Sequence, residues 1–229
     1  RPGLVPALEL LEPLLRERAL ARAQLVGRVE VQAVAVVAAV EVIRESPVLF
    51  GVGNPGLLDA GGIAIVGSRS IDAADEAFAK QLAQSGASEG LNVVSGGAKG
   101  VDETAMKAAL EVEGMSVGVL ANGLFSAATS GVWRRHLRSK DLCLISPFSP
   151  ESGFNVGNAM GRNKYIYCLA DYSVVVRSDK DKGGTWAGAT EAMKKQLAPV
   201  FVREDSDAPG NAALIEMGAQ SLRCPEKPQ

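Results

Sequence analysis

Two short stretches carry residue types that could hold an anion. One is Gly67-Ser68-Arg69; the other is Ser95-Gly96-Gly97-Ala98-Lys99-Gly100-Val101-Asp102. Each follows a β-branched run, Ile63-Ala64-Ile65-Val66 in one case and Leu91-Asn92-Val93-Val94 in the other, and each leads into an amphipathic stretch. Strand, tight turn and helix in that order bring backbone N–H groups and the positive end of a helix to the carboxyl edge of a sheet. Arg69 and Lys99 add one cation to each turn. The chemistry expected is phosphate capture, with Gly96, Gly97 and Gly100 letting the backbone pass close to the ligand. The plainer readings are a surface arginine at 69 and an ordinary strand-to-helix turn capped by Asp102.

Two later segments fit the same chemistry. Arg162-Asn163-Lys164 falls within a helix spanning about 158–169; its two cations could meet a phosphate chain, and the amide of Asn163 could bond a base edge or a loop. Tyr165 and Tyr167 share that helix with Ile166 and Leu169, so core and stacking roles both fit them. Lys182-Gly183-Gly184-Thr185 opens the next helix, where Thr185 can cap while the glycine pair exposes N–H donors. Trp186 serves equally as a base platform or as core. The run Trp133–Lys140 carries Arg134, Arg135, Arg138 and Lys140. It reads as a solvated helix face, and as a groove for a nucleic-acid backbone only if it shares the sheet's carboxyl side.

Other chemistries find little support. Gly67-Ser68-Arg69 lacks the second and third glycines of a dinucleotide fingerprint, and no Gly-Lys-Ser/Thr closes the second loop as a Walker A motif would. His136 is the only histidine, no nucleophile elbow is present, and Cys143, Cys168 and Cys224 have no ligand spacing. We therefore expect no catalytic residue, no metal and no cofactor. The cysteines read as buried free thiols in a reducing compartment.

The elements that must position these residues alternate in type. Strands at 63–66, 91–95, 116–120, 142–145, 172–176 and 199–202 are separated by helices at about 72–85, 101–111, 158–169 and 185–195, with a last helix at 211–218. Asp72 can cap the first of these helices, whose Phe78 and Leu82 face the sheet. No hairpin signal joins any two strands, so the expected fold is α/β: an extended Rossmann-like, doubly wound, mainly parallel sheet with helices on both faces. Residues 1–46 form a separate N-terminal segment, helical over about 5–28 and apolar over 31–40, and 47–229 form the core. The apolar run is half the ~20 residues a bilayer span needs. With no export signal visible, a cytoplasmic protein without a membrane anchor is expected. A net charge of −2 excludes indiscriminate coating of DNA, so any polyanion site must be a local patch.

In this order the pieces resemble the DNA-processing protein A family (DprA, also called Smf). The resemblance rests on Pro47-Val48-Leu49-Phe50, Ile63–Arg69, Ser95–Asp102, Val119–Leu124, Gly161–Ile166 and Gly184–Ala189. It implies a Rossmann-like core that binds single-stranded DNA in a basic pocket at the sheet edge, acts as a homodimer, and protects DNA and hands it to a RecA-type recombinase in natural transformation. Ser68, Arg69, Gly96 to Gly100, Arg162, Lys164 and Gly183 to Thr185 would line that pocket. Ala127 to Ser130 stand where the family commonly has a Tyr-Pro pair, and residues 1–46 would be an abbreviated version of its small helical domain. Met160–Lys164, Gly183–Thr185 and Glu191 are also similar to the LOG phosphoribohydrolases, which implies as the alternative a nucleoside-monophosphate hydrolase with Arg162 on phosphate and Glu191 on the sugar. A nucleotide-sensing module is a third reading.

Overall fold

The computed structural model describes residues 49–122, 124–204 and 206–223. The expected N-terminal segment and its boundary near Ser46 lie outside these residues, as does Cys224. Eight strands form one sheet in the order β1-β5-β4-β3-β2-β6-β7-β8. They are β1 (Phe50–Gly53), β2 (Ile63–Val66), β3 (Val93–Ser95), β4 (Ser116–Val119), β5 (Leu142–Ser146), β6 (Tyr172–Val175), β7 (Val200–Arg203) and β8 (Gln220–Leu222). All neighbours run parallel except β1, which pairs antiparallel with β5 from Phe50↔Ser146 to Gly53↔Cys143. The mainly parallel α/β fold is as expected from sequence.

Parallel strands covered on both faces should be apolar throughout, and β2 is buried at every position. Its side chains alternate between two cores. Ile63 and Ile65 join Phe78, Leu82, Val93, Val101, Ala105 and Val174 on one face. Ala64 and Val66 join Val94, Val119, Ile166, Tyr167, Val202 and Leu214 on the other. The first face is covered by α1 (Ala73–Ser88) and α2 (Val101–Glu111), which pack on each other. Asp72 caps α1: its carboxylate accepts from the Ala74 and Asp75 amides, and Asp75 reciprocates to the Asp72 amide. A third cluster, with Met106, Leu120, Trp133 and Leu144, closes the β5 side.

Three expectations are corrected. The sheet has two strands beyond the six expected, β1 and β8. β1 is glycine-rich, and its backbone pairing with β5 holds it rather than any side-chain pattern. The helix expected at 158–169 is two helices, α5 (Val156–Gly161) and α6 (Asn163–Leu169), with Arg162 ending one and starting the other. Residues 124–129 form a short helix, α3, and the basic run becomes α4 (Arg134–Ser139). α4 ends at Ser139, with Lys140 as its C-cap shortly before β5 begins at Leu142, so that end lies at the amino edge of the sheet. The condition for a carboxyl-side groove is not met there. The last two helices are α7 (Gly183–Lys195) and α8 (Pro209–Glu216).

The order of strands reverses between β2 and β6: the chain builds outward through β3, β4 and β5 on one side and through β6 and β7 to β8 on the other. Loops leaving β2 and β6 therefore diverge, opening a crevice at their carboxyl ends. Beside it, a charged cluster fastens α1 to the ends of β6 and β7. Asp75, 1% exposed, accepts from Arg203 at 2.8 Å and from Arg177 at 3.1 Å. Arg177 also reaches Asp207 at 2.7 Å. Replacing Asp75 by Ala removes a buried carboxylate shared by Arg203 and Arg177; urea unfolding should show a loss of about 3–5 kcal/mol.

Candidate nucleic-acid interface at the strand-order reversal

The crevice is a cleft of about 330 Å³. Gly67, Ser68 and Arg69 form one wall and Ser178, Asp179, Lys182, Gly183, Gly184 and Thr185 the opposite one; Val156, Ala159 and Met160 of α5 border it, and Asp102, Arg162, Asn163, Ile166 and Tyr167 lie at its base. The two glycine turns are in contact. Val101 N–H donates to the Ser68 carbonyl at 3.2 Å, and a Cβ on Gly100 would stand 2.4 Å from that same oxygen. Gly100 also has φ +95, a conformation glycine adopts without strain. Ser68 is fixed further by its N–H to the Arg177 carbonyl at 3.0 Å, and its hydroxyl accepts from Ser70.

Arg162 is 3% exposed, at the break between α5 and α6. Its guanidinium lies against Gly96: a Cβ there would meet Nη1 at 1.8 Å and Cζ at 2.3 Å. Nη2 stands 3.7 Å from Asp102 Oδ2, close enough for attraction and too long for a good hydrogen bond. Nε and Nη1 have no hydrogen-bond partner. Burial pushes the Asp102 carboxyl above its usual pKa, against the pull of Arg162 and of the amides of Gly67, Ala98 and Gly96 directed at it. Burial likewise lowers Arg162, with Asp102 opposing. Both groups are short of solvation, and a buried donor without a partner favours the approach of negative charge.

Two more positive features face the cleft. α7 begins at Gly183 with Lys182 as its N-cap and no side-chain cap bond, so its first amides are available to an anion. Arg69 is held at the rim with its guanidinium 4.9 Å from the centre of the Phe154 ring. Asn163 ties the walls together, donating from Nδ2 to the Gly184 carbonyl at 2.8 Å.

Of the residues singled out from sequence, Gly67, Ser68, Arg69, Arg162, Asn163, Gly183, Gly184 and Thr185 line the cleft. Ser95, Gly96, Gly97, Lys99, Gly100 and Lys164 do not. Ser95 is fully buried and gives its hydroxyl to the Ile65 carbonyl at 2.6 Å. Gly96 makes room for Arg162, and Gly97, at φ +63, for Leu120; these glycines serve close approach of the protein to itself. Lys99 is exposed, and Lys164 lies with its ammonium 5.3 Å from the Tyr165 ring centre. Thr185 is the third residue of α7 rather than its cap. Trp186 packs against the core, and Tyr165 and Tyr167 belong to it. Sequence reasoning took Asp102 for a helix cap and missed its partnership with Arg162, which lies sixty residues away in the chain. An acidic side chain amid glycines and cations was the available signal.

Glu191, the residue needed for sugar chemistry, does not line this cleft. It pairs with Lys195 at 2.6 Å and lines a separate hollow with Trp186, Met193 and Met217. Among the described residues no cluster of His, Cys, Asp and Glu is placed to hold a metal, and no helix is long and apolar enough to cross a membrane.

Comparison with known proteins gives the family and the fold. The family described as DNA recombination-mediator protein A matches residues 37–228. The chain belongs to that family. Protein Smf of Escherichia coli K12 is 38% identical over 187 residues, which cover 78% of this chain and 49% of Smf. The chain thus spans about half the length of that relative. Two structures of DNA processing protein A share the fold. The Helicobacter pylori protein, known for a single-stranded DNA binding mode, superposes with a TM-score of 0.70 at 27% identity, covering 80% of this chain and 86% of its own. The Streptococcus pneumoniae protein gives 0.69 at 26% identity, covering 80% and 66%.

Within this family member, Gly96→Ala should displace the Arg162 guanidinium. Overpacking predicts a loss of about 1–3 kcal/mol in thermal or urea unfolding. Oligonucleotide binding should weaken in the same variant while its far-UV circular dichroism stays folded.

Proposed function

We propose that this chain binds single-stranded DNA at the cleft between the β2 and β6 loops, as a DNA-processing protein without catalytic turnover. The observation that carries the reading is Arg162, buried, incompletely partnered and placed opposite an uncapped helix N-terminus. A sugar–phosphate chain supplies the anion that such a base lacks. Arg69 at the rim, with Phe154, Val156 and Met160 exposed beside it, offers a further phosphate contact and an apolar border for bases. The contacts in this set are to phosphate, so affinity should come from the strand's backbone and tolerate sequence.

Family membership supports the wider role. In it the protein works in the cytoplasm as a homodimer, shields incoming single strands, and passes them to a RecA-type recombinase. Arg162, Arg69, Lys182 and the first turn of α7 form the phosphate-binding set in this reading, with Asn163 and Asp102 as positioning residues. Lys99 and Lys164, outside the cleft, add at most to the surrounding field.

Titration of a fluorescent single strand and of the matching duplex at two salt concentrations tests the reading. The single strand should bind more tightly. Arg69→Ala should weaken it about tenfold, equal to about 1.4 kcal/mol, and lower the slope of log affinity against log salt by about 0.7. Lys99→Ala should have the smaller effect. Equal affinity for both nucleic acids, or an unchanged slope in Arg69→Ala, would overturn it.

A further inference from the structure

Which part of a strand the cleft receives is a separate question, and its answer rests on the single-strand reading above. The base of the cleft is closed by core residues: Val66, Ile166 and Tyr167 are 6%, 1% and 1% exposed. The β2 turn, α5 and the start of α7 stand around it. A group that reaches Arg162 must therefore enter from the open side and stop there. The volume, about 330 Å³, lies at the low end of ligand pockets, which run from about 300 to 1,000 Å³. That is room for one nucleotide and not for a run of several.

The two kinds of phosphate in a DNA strand differ in how they can enter. An internal phosphodiester has sugar on both sides, two unesterified oxygens and one negative charge, so it lies along a surface. A terminal phosphomonoester has sugar on one side, three unesterified oxygens and a charge of about −1.5 to −2 at pH 7. It can go in phosphate first. Two groups border the space it would enter: the Arg162 guanidinium, which lines the cleft and whose buried Nε and Nη1 make no hydrogen bond, and the amides at the head of α7, where Lys182 provides no side-chain cap. We propose that the cleft seats the terminal phosphomonoester of a DNA strand on Arg162 and the α7 N-terminus, so that the protein holds strand ends in preference to strand interiors.

The experiment uses one oligonucleotide sequence in four forms: 5′-phosphorylated, 3′-phosphorylated, hydroxyl at both ends, and closed into a circle. Fluorescence anisotropy should give at least one phosphorylated form an affinity about tenfold or more above the hydroxyl-ended strand and the circle, in keeping with a charge-assisted contact. A deoxynucleoside monophosphate should compete with that form, and the unphosphorylated deoxynucleoside should not. Arg162→Lys keeps the charge but not the fork, and should abolish the preference. Should that variant fail to fold, Thr185→Glu decides, because a carboxylate in the first turn of α7 competes with the phosphate and should also remove the preference. Lowering the pH from 7.5 to 5.5 should shrink the preference about fourfold, because the monoester takes up its second proton near pH 6. The groups facing the phosphate are Arg69, Asp102, Arg162, Tyr167, Asp179 and Lys182; the hydroxyl-ended strand measured alongside removes their own titration from the comparison. Equal affinity for circle and phosphorylated strands would overturn the proposal and leave single-strand binding standing. No binding by any of the four forms would overturn both.

Discussion

Between two short helices, the Arg162 guanidinium lies on the bare Cα of Gly96 with Asp102 at one end and no protein acceptor for two of its nitrogens. Taking such a group out of water costs several kcal/mol unless its hydrogen bonds are made. Asp102 answers part of that demand by Coulomb attraction, and it is itself held by the amides of Gly67, Gly96 and Ala98. A small surface is left at which negative charge is favourable, and the turns after β2 and β3 and the break between α5 and α6 are shaped around that demand. Gly67, Gly96, Gly97 and Gly100 each let one part of the protein come close to another.

The sheet supplies what this constraint needs. Because the strand order reverses at β2 and β6, the loops leaving those strands part, and the head of α7 and the first turn of α2 both face the opening. The same arrangement accounts for the charged fastening beside it. Asp75, Arg177 and Arg203 join the head of α1 to the ends of β6 and β7, so the walls of the cleft rest on an ion network as well as on the core. On the far wall, Asn211 accepts from the Ser178 amide and donates to the Val176 and Arg203 carbonyls, which fixes the loop after β6. The cleft is rigidly framed on both sides, and the cations at its rim are the exposed part.

This framing separates two kinds of positive charge. Arg134, Arg135 and Arg138 are exposed on α4, on the β5 side of the sheet. They are solvated, and their attraction for a polyanion is screened within about 8–10 Å at ordinary salt. Arg162 is little screened because water scarcely reaches it. One buried guanidinium can therefore draw an anion more strongly than several surface ones, and a net charge of −2 is compatible with an anion site.

The sequence by itself determined the strand and helix alternation, the mainly parallel sheet and the family. Runs such as Ile63–Val66 and Tyr172–Val175 are apolar on both faces, and short glycine turns after them admit few topologies. It also marked Arg69, Arg162 and Gly183–Thr185, through their positive charge and their glycine turn. Tertiary structure alone decided which glycines and cations converge. Ser95 ends β3 beside Gly96 and Lys99 follows in the next turn, yet one spends its hydroxyl on Ile65 and the other is exposed outside the cleft. The pairing of Asp102 with Arg162 and the break of a helix at that arginine depend on distances between segments far apart in the chain. So do β1 and β8, which are held by backbone bonds to neighbouring strands. Local periodicity records which face of an element is buried; it carries no information on which distant element will be packed against that face.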